Sequence, residues 1–358
     1  MDRLSRRTVL MGGSMGAAVV LAAAVPAAMS PFRDDPRNST SIVPALIAPT
    51  AAPGQVTFLA MDVNGRRQGS AAPVRRLRAA LSDALLPDDG CAALAIGHSL
   101  LSPSNRPRLL GAMPSFPGDL LDGAHSHGDV LLQVAAHSKA SVRQAVERVL
   151  EASADWRVRW RIDGFRADGR ADGGRALSRN PFHFTEGFGN PGSERETADR
   201  ALVRADQGEP AWAVGGSYQV VRIVRLATEL WDKDSVEEQE DIIGRRRDGR
   251  WLDGTPIREE PNFAADPAGK LTPLDSHVRL AAPDRRNPPP IVRRSYSYDR
   301  GDGDTGLIFS CFQRDLAKGF EAVQKRLEGE AMAKYLLTTG GGYYFVPPPG
   351  DEWIKALT

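Results

Sequence analysis

The chain has 358 residues, 46 Lys and Arg against 45 Asp and Glu, a formal net charge of +1 at pH 7 and 41% hydrophobic residues. This length and apolar content allow a large core and favour two domains over one or three. The near-neutral charge gives no electrostatic support for a nucleic-acid partner or an anionic membrane surface, so both classes are disfavoured.

The N-terminus has the pattern of an export signal. Residues 5–10 read Ser-Arg-Arg-Thr-Val-Leu, a twin-arginine pattern, and a Gly/Ala-rich apolar stretch follows to about Val25. Small residues around Pro26 offer a cleavage site, and the apolar stretch is short and weakly hydrophobic for a membrane span. We therefore predict a twin-arginine signal peptide over residues 1–30, a flexible leader over 31–52, and a periplasmic or extracellular location.

The next part of the chain alternates strand and helix patterns. In order, we predict a strand over 55–63, a helix over 74–86, strands over 92–98 and 129–136, a helix over 141–152 and a strand over 156–162. Ser141 and Gln144 have the spacing of a capping box, and apolar residues alternate with arginines through the last strand. The order βαββαβ is the signature of a ferredoxin-like unit.

The second half repeats this order. We predict a strand over 218–226, a helix over 235–246, an insertion of loop character over 247–290, strands over 293–298 and 306–313, a helix over 320–329 and a strand over 343–346. Ser235 and Glu238 form a second capping-box pattern. The sequence thus predicts an α+β protein with an N-terminal ferredoxin-like domain over 53–180 and a C-terminal one over 181–358.

Two features are assigned to structure and not to chemistry. Cys91 and Cys311 both lie in apolar runs, which favours core packing, and their number rules out a Cys-based zinc or iron–sulfur site. Arginines at 245, 246 and 247 form a short run that abuts Asp248, and we interpret it as a solvated helix end.

Histidines are the first candidates for chemistry, at positions His98, His125, His127, His137, His183 and His277. Most histidines are hydrogen-bonded surface residues. His125 and His127 share a loop, but a spacing of two without a third ligand is a weak metal pattern. His277 differs because Asp275 is near enough in sequence to accept a hydrogen bond from its second ring nitrogen and so fix its tautomer.

A pair of arginines, Arg293 and Arg294, follows His277 by about sixteen residues and begins a predicted strand. A haem protein needs a neutral imidazole on one face of the iron. A peroxidase also needs a fixed cation on the other face, where charge develops as the O–O bond breaks. This segment has the residue types for both roles.

A second constellation joins the two halves. Residues 180–191 read Asn-Pro-Phe-His-Phe-Thr-Glu-Gly-Phe-Gly-Asn-Pro, which is a turn by composition. The residues alone favour a domain linker rich in Gly and Pro over a segment in which Glu186 is an active-site acid.

Together these motifs resemble the dye-decolourising (DyP-type) haem peroxidases, and within them the exported deferrochelatase/peroxidase branch. That family has a Gly-x-x-Asp-Gly motif followed by Asn-Pro, and the matching positions here begin at His183 and continue through Glu186-Gly187 to Asn190-Pro191. The resemblance is close from residue 180 to the C-terminus and looser over 52–165, where His127-Gly128-Asp129 anchors it. Further motifs that look like this branch are Glu209-Pro210-Ala211-Trp212, Gly216-Ser217-Tyr218-Gln219, Ala265-Asp266-Pro267, His277-Val278-Arg279, Arg293-Arg294-Ser295-Tyr296 and Gly341-Gly342-Tyr343.

The resemblance implies two ferredoxin-like domains whose antiparallel sheets face each other as a β-barrel-like core, with haem b (iron protoporphyrin IX) held mainly by the second domain. It implies that His277 is the proximal iron ligand and Arg293 the distal arginine. Leu307 and Phe309 would line the distal side of the haem pocket. Glu186 would move the proton between the two oxygens of H₂O₂, and an organic reductant or haem itself would be the second substrate.

Two departures from the family motif leave alternatives open. Glu186 replaces Asp, a change mainly of reach since their ordinary pKa values are about 4.3 and 3.9. His183 replaces Gly, which removes backbone freedom if that position needs a positive φ, and its ring is either a distal base or packs away. The chain is thus a haem peroxidase for bulky reductants, an enzyme that also releases iron from haem, or a haem-binding protein with impaired peroxidase activity. Further partners on this reading are a second copy of the chain and components of an iron-uptake system.

Overall fold

A computed structural model of the protein describes residues 44, 46–48, 52–65, 70–82, 90–166, 171–172, 175–176, 178–257 and 259–357. The predicted signal peptide and most of the predicted leader lie outside these residues. In the described part of the chain, no helix is both long enough and apolar enough to cross a membrane.

The described residues form strands and helices that we number in chain order. The strands are β1 (Gln55–Val63), β2 (Cys91–Gly97), β3 (Val130–Ala136), β4 (Trp156–Phe165), β5 (Ala171–Asp172), β6 (Arg175–Ala176), β7 (Ser178–Arg179), β8 (Thr185–Glu186), β9 (Ser217–Leu226), β10 (Val292–Arg293), β11 (Tyr296–Asp299), β12 (Thr305–Gln313) and β13 (Leu336–Val346). The α-helices are α1 (Ala71–Ser82), α2 (Lys139–Glu151), α3 (Glu194–Ala201), α4 (Thr228–Trp231), α5 (Val236–Ile243), α6 (His277–Ala281) and α7 (Ala322–Arg326).

The first half is a four-stranded antiparallel sheet in the order β4-β1-β3-β2. Two crossover helices connect its strands, and each buries one apolar stripe. In α2 the buried residues are Val142, Ala145, Val146 and Val149, the spacing of one helix face. This order and these connections confirm the predicted ferredoxin-like arrangement.

The second half repeats the arrangement with strands in the order β11-β12-β9-β13. Strand β10 pairs with the far end of β12, so β10 and β11 occupy one strand position, interrupted at Arg294 and Ser295. The helices α4 and α5 and the long insertion lie between β9 and β10. That insertion, predicted as loop, contains the short helix α6.

The two half-sheets join at both edges. Ser297 of β11 pairs with Phe165 of β4, and Tyr344 of β13 pairs with Gly97 of β2. Eight strand positions therefore close into a ring, which confirms the β-barrel-like core. One buried cluster combines side chains from both halves, including Phe58 and Ile308. Because both halves share this continuous sheet, the domain boundary predicted at residue 180 stays a prediction.

Several predicted boundaries are wrong for identifiable reasons. Helix α2 begins at Lys139, and Ser138 caps it by accepting from the backbone N–H of Ser141, so the predicted capping box at Ser141 does not form. Strand β13 begins at residue 336 and not 343. Its glycine run reads as a loop, yet a Cβ at Gly341 would lie 2.0 Å from the Val221 carbonyl oxygen, so only glycine allows this strand pairing.

Two surface predictions also differ. Val158 lies on the predicted apolar face of β4 but is 42% exposed. Ala60 and Met61 of β1 pair with Trp160 and Val158, so Arg159 is an extra residue in β4 that interrupts the alternation there. Arg245 was interpreted as part of a solvated helix end and is 6% exposed. By contrast, the Ser235–Glu238 capping box is confirmed, and α5 ends at Gly244 in the left-handed conformation.

Candidate functional site

His277 occupies the first position of helix α6, inside the long insertion. Its Nδ1 atom lies 2.7 Å from Oε2 of Glu330, a side chain that is 5% exposed. An ionised carboxylate can only accept a hydrogen bond, so Nδ1 carries the proton and Nε2 keeps its lone pair. The predicted partner, Asp275, is wrong. Glu330 is 53 residues away along the chain, and no local pattern links the two.

A partly buried ion pair fixes the loop that precedes His277. The Arg279 guanidinium lies 3.3 Å from Asp266 and donates to the carbonyl oxygens of Phe263, Asp266 and Thr272. Asp266 accepts from three successive backbone N–H groups, those of Lys270, Leu271 and Thr272. These hydrogen bonds, with Thr272 foremost, and the Arg279 charge lower the pKa of Asp266 to about 2. These contacts of Asp266 and Arg279 therefore fix the conformation of the loop between Phe263 and Thr272, ahead of α6.

Glu186 lies on the two-stranded hairpin of β7 and β8, at the junction of the two halves. Asn180 donates from Nδ2 to Oε1 of Glu186 at 3.1 Å, while its own Oδ1 accepts from the backbone of Phe182 and Phe184. Burial raises the pKa of Glu186, and the Asn180 hydrogen bond and nearby positive charge oppose that rise. The opposing charges come from Arg166, Arg293 and His277.

Arg293 is held by the Asn-Pro turn that follows Glu186. Its backbone N–H donates to Oδ1 of Asn190 at 2.9 Å, and Asn190 Nδ2 donates back to the Arg293 carbonyl at 2.9 Å. The guanidinium donates from Nη2 to the carbonyl of Phe188. Burial lowers the pKa of Arg293, and the charge of Glu186 opposes this shift. The structure therefore brings together Glu186 and Arg293, which come from different sequence motifs.

An apolar wall completes the site. Leu307 and Phe309 on β12 are half-buried, whereas Ile308 between them is fully buried on the other face. Both half-buried residues pack against an aromatic cluster that contains Phe182 and Trp231. The described residues hold no group of three or more His, Cys, Asp or Glu suited to a metal ion. His277 has one imidazole nitrogen available, and a single protein ligand of this kind fits a metal whose remaining ligands come from a macrocycle.

The other candidate histidines point elsewhere. His183 has a φ of +70° and places Nε2 2.9 Å from Oδ1 of Asp232, with about half of each side chain exposed. The left-handed backbone turns its ring toward the surface, so the prediction of His183 as a distal base is not supported by its position. His125 pairs through Nδ1 with Asp122 at 2.7 Å.

Arg166 is a site residue that the sequence reasoning missed. It follows β4 in the first half of the chain, and its guanidinium lies over the ring of Tyr296 and donates to the Ser295 carbonyl. Its charge acts on Glu186. In sequence it is one of several arginines along this segment, and nothing there marks it as part of a site formed mainly by the second half.

Both halves of the chain match family models. Residues 51–166 match the model described as Dyp-type peroxidase, N-terminal, and residues 177–351 match Dyp-type peroxidase, C-terminal. Curated relatives called deferrochelatase are 40% identical over 274 residues in Escherichia coli (strain K12) and in Shigella flexneri serotype 5b, covering 72% of this chain. The chain spans 64% and 65% of the length of these two relatives, respectively.

Solved structures give the same likeness. Ferric DtpA from Streptomyces lividans has a TM-score of 0.76 at 28% identity and covers 87% of this chain and 94% of its own. A DyP-type peroxidase from Streptomyces coelicolor has a TM-score of 0.75 at 29% identity, and the match covers 85% of this chain and 91% of that one. A DyP-type peroxidase from Cellulomonas bogoriensis has a TM-score of 0.75 at 28% identity, and the match covers 87% of this chain and 95% of that one.

Proposed function

Because the chain belongs to the Dyp-type peroxidase family, we propose that it is a haem-dependent peroxidase that reduces H₂O₂ and oxidises bulky organic reductants. One observation carries this proposal: His277, with Nε2 available, lies within electrostatic range of Glu186, which in turn interacts with the half-buried Arg293. A neutral imidazole, a carboxylate and a fixed cation beside an apolar wall are the groups that peroxide reduction at a haem requires.

On the proximal side, His277 would hold the haem iron through Nε2. Glu330 keeps the ring in one tautomer and orientation by accepting the Nδ1 hydrogen bond. The Asp266–Arg279 pair holds the loop in register ahead of His277. When bound, haem supplies the metal centre that reduces peroxide and that then accepts electrons from the organic reductant.

On the distal side, Glu186 would take the proton from the near oxygen of H₂O₂ and give it to the far one. A pKa raised by burial makes this carboxyl a better proton carrier near neutral pH than an exposed glutamate. Arg293 stabilises negative charge on the departing oxygen, since its cation is fixed in place before that charge develops. The Asn180 hydrogen bond holds the longer glutamate side chain in place where the family motif has aspartate.

Release of iron from haem is a second candidate activity. The 40% identity to proteins called deferrochelatase favours it, and the same pocket would serve both reactions. A haem-binding protein with impaired peroxidase activity is less favoured, because Glu186 keeps a hydrogen-bond partner and two neighbouring arginines.

We also propose that residues 1–30 direct export through the twin-arginine route to the periplasm or beyond. The two domains would divide near residue 180. A second copy of the chain and components of an iron-uptake system are proposed partners. These proposals come from the sequence pattern and the family.

The proposal is tested with the full chain reconstituted with haem. We expect a Soret band that changes within seconds of adding H₂O₂ and returns when a dye or phenol is added, with haem alone as the control. Fluorescence of free protoporphyrin after incubation with haem would report the second activity. A Soret band that peroxide leaves unchanged would contradict the peroxidase proposal.

Replacing Glu330 tests the support of the proximal ligand. We expect Glu330→Gln to weaken haem affinity by about 10- to 100-fold, because a neutral amide no longer strengthens the imidazole through Nδ1. The iron–imidazole stretching frequency should also fall. Glu328→Gln, at an exposed position two residues away, is the matched control. Equal affinities and frequencies for both variants would count against this role of Glu330.

Replacing His183 tests the distal assignment. We expect His183→Gly to raise the free energy of unfolding by up to about 1 kcal/mol, because glycine adopts a positive φ freely and the exposed pair with Asp232 contributes little. Peroxidase kcat/KM should stay within a factor of about two. Urea unfolding and steady-state kinetics measure these quantities. A tenfold loss of kcat/KM would instead make His183 part of the distal chemistry.

A further inference from the structure

A layer of polar side chains crosses the interior of the closed ring of strands. Gln133 of β3 and Gln219 of β9 come from different halves of the chain, and Gln219 Nε2 donates to Gln133 Oε1 at 3.0 Å. The same Nε2 lies 3.2 Å from Oγ of Ser310 on β12. All three residues are at most 2% exposed. Ser310 stands between Ile308 and Phe312, two members of the apolar cluster that fills the ring, so these hydrogen bonds join the halves in an apolar surrounding.

Arg294 extends this layer. Its backbone N–H donates to the Ser310 carbonyl at 2.7 Å. It stands between Val292 and Tyr296, which both belong to the apolar cluster inside the ring. Side chains two residues apart on an extended chain share a face, so the Arg294 side chain is directed into the ring as well. Only 7% of this residue is exposed.

Three N–H groups at this end of the ring have no acceptor. Nη2 of Arg294 and Nε2 of Gln133 are buried without a hydrogen-bond partner. Arg166, whose guanidinium lies 5.1 Å from the centroid of the Tyr296 ring, has a buried Nε without a partner, although its Nη2 donates to the Ser295 carbonyl. Buried donors are costly when unpaired, so these groups need an acceptor that the protein does not provide.

The acceptor must also compensate positive charge. Burial first, and then the charge of Arg166, lower the pKa of Arg294 to about 10, so its guanidinium remains charged at neutral pH. Tyr296 and Cys91 oppose this shift only when ionised, and burial raises the pKa of Tyr296 to about 12 and that of Cys91 above its ordinary value. Among the described residues, no carboxylate pairs with Arg294. Water would satisfy the donors but leave the cation without a counter-ion, whereas an anion does both.

We propose that Arg294 and Gln133 bind a small inorganic anion of the halide type, such as chloride, inside the ring. The space allows no large ligand, because a Cβ at Gly164 would lie 2.7 Å from Cδ1 of Ile308 and 2.9 Å from Cβ of Tyr296. A halide carries one charge and accepts several N–H donors. Bound here, it joins Gln133 of the first half to Arg294 of the second and stabilises the closed ring. The proposal does not depend on haem.

The first test measures the thermal stability of the full chain, with and without haem, as chloride replaces gluconate at constant pH and ionic strength. Gluconate is too large for the interior. We expect the Tm to rise with chloride concentration and then level off, because only the folded chain has the site. Bromide should act in the same way. The haem-free sample separates this effect from halide binding at iron.

Two arginine variants make the test specific. Arg294→Met keeps the approximate size of the side chain but removes its charge and its N–H donors, so its Tm should not depend on chloride. Arg300→Met is the matched control. Arg300 lies over the ring of Tyr298 and has its own carboxylate partner, Asp304, so this variant should keep the wild-type dependence.

Bromide also locates the ion directly. In crystals of the full chain grown in sodium bromide, we expect an anomalous-scattering peak within hydrogen-bond distance of Arg294 Nη2 and Gln133 Nε2. Gln133→Leu removes one donor and keeps the cation, so it should weaken bromide binding in the Tm titration by about tenfold or more, the loss typical of a hydrogen bond to a charged group. This variant keeps the proposal testable even if Arg294→Met does not fold.

Three outcomes would overturn the proposal. One is an ordered water without anomalous signal beside Arg294. Another is a bromide peak without any halide dependence of the Tm, which would mean an adventitious ion only. The third is a chloride dependence that persists unchanged in Arg294→Met, since the ion would then act at a different position.

Discussion

Haem affinity should fall by more than about a hundredfold when His277 is replaced by glycine, since loss of an outer partner such as Glu330 alone typically costs 10- to 100-fold. The contact of Nδ1 with Glu330 fixes the tautomer of His277 and keeps Nε2 available for a metal. Removing it leaves Glu330 without its hydrogen-bond donor and, if His277 is the proposed iron ligand, would leave the iron without a protein ligand. Peroxidase turnover should fall to the level of free haem.

Haem titration followed by absorption and electron paramagnetic resonance measures this loss. Added imidazole should restore the wild-type spectrum of His277→Gly, because the vacated space accepts the free ring. His183→Gly is the matched control, since it makes the same substitution at a histidine that pairs with Asp232. Wild-type affinity and spectrum in His277→Gly would assign the iron to another ligand.

Replacing Glu186 should give the second largest effect, a fall in kcat of about 10²- to 10⁴-fold for Glu186→Gln. The amide keeps the size of the side chain and can still accept from Asn180, but it cannot carry the proton. Haem affinity should not change, which separates a catalytic loss from a binding loss. Glu186→Asp keeps the carboxylate and should retain activity within about tenfold. Equal losses in both variants would show that position, and not proton transfer, is what the side chain provides.

The pH profile tests the same carboxyl group independently. Glu186 acts as a base only when ionised, and burial raises its pKa above the ordinary value. Activity should therefore be complete above the raised pKa and fall as the pH drops through it. Arg293 opposes the rise, so Arg293→Met should move this acid limb to higher pH. An acid limb that persists unchanged in Glu186→Gln would belong to another group.

The fold could be predicted largely because its elements have strong local periods. Apolar residues that alternate with arginines located β4, strand-like runs located β1 and β9, and the Ser235–Glu238 pattern located the start of α5. The predicted strand boundary was wrong where contact with a distant segment determines the local structure. The glycine run at the start of β13 extends the strand only because Val221 approaches it closely, and β9 is more than a hundred residues earlier in the chain.

The candidate site was predictable where family motifs supplied the residues, and not where contacts cross the fold. His277, Glu186 and Arg293 each lie in a recognisable motif. Glu330 and Arg166 do not, because each comes near the site only when the sheet closes. The prediction that Arg245 is exposed to solvent was wrong for a related reason. A charge run indicates solvent exposure unless aromatic partners cover it, and here Phe188 comes from a different segment.

Closure of the ring has a consequence for assembly of the chain. Strand β2 obtains its second neighbour only from β13, near the C-terminus, and β4 obtains its second neighbour from β11. Until β11 and β13 are in place, the two edges of the first half present unpaired backbone groups, which favour pairing with other chains. These pairings are also distant in sequence, which slows folding. Aggregation during synthesis, and not instability of the finished ring, is therefore the main hazard that this topology creates.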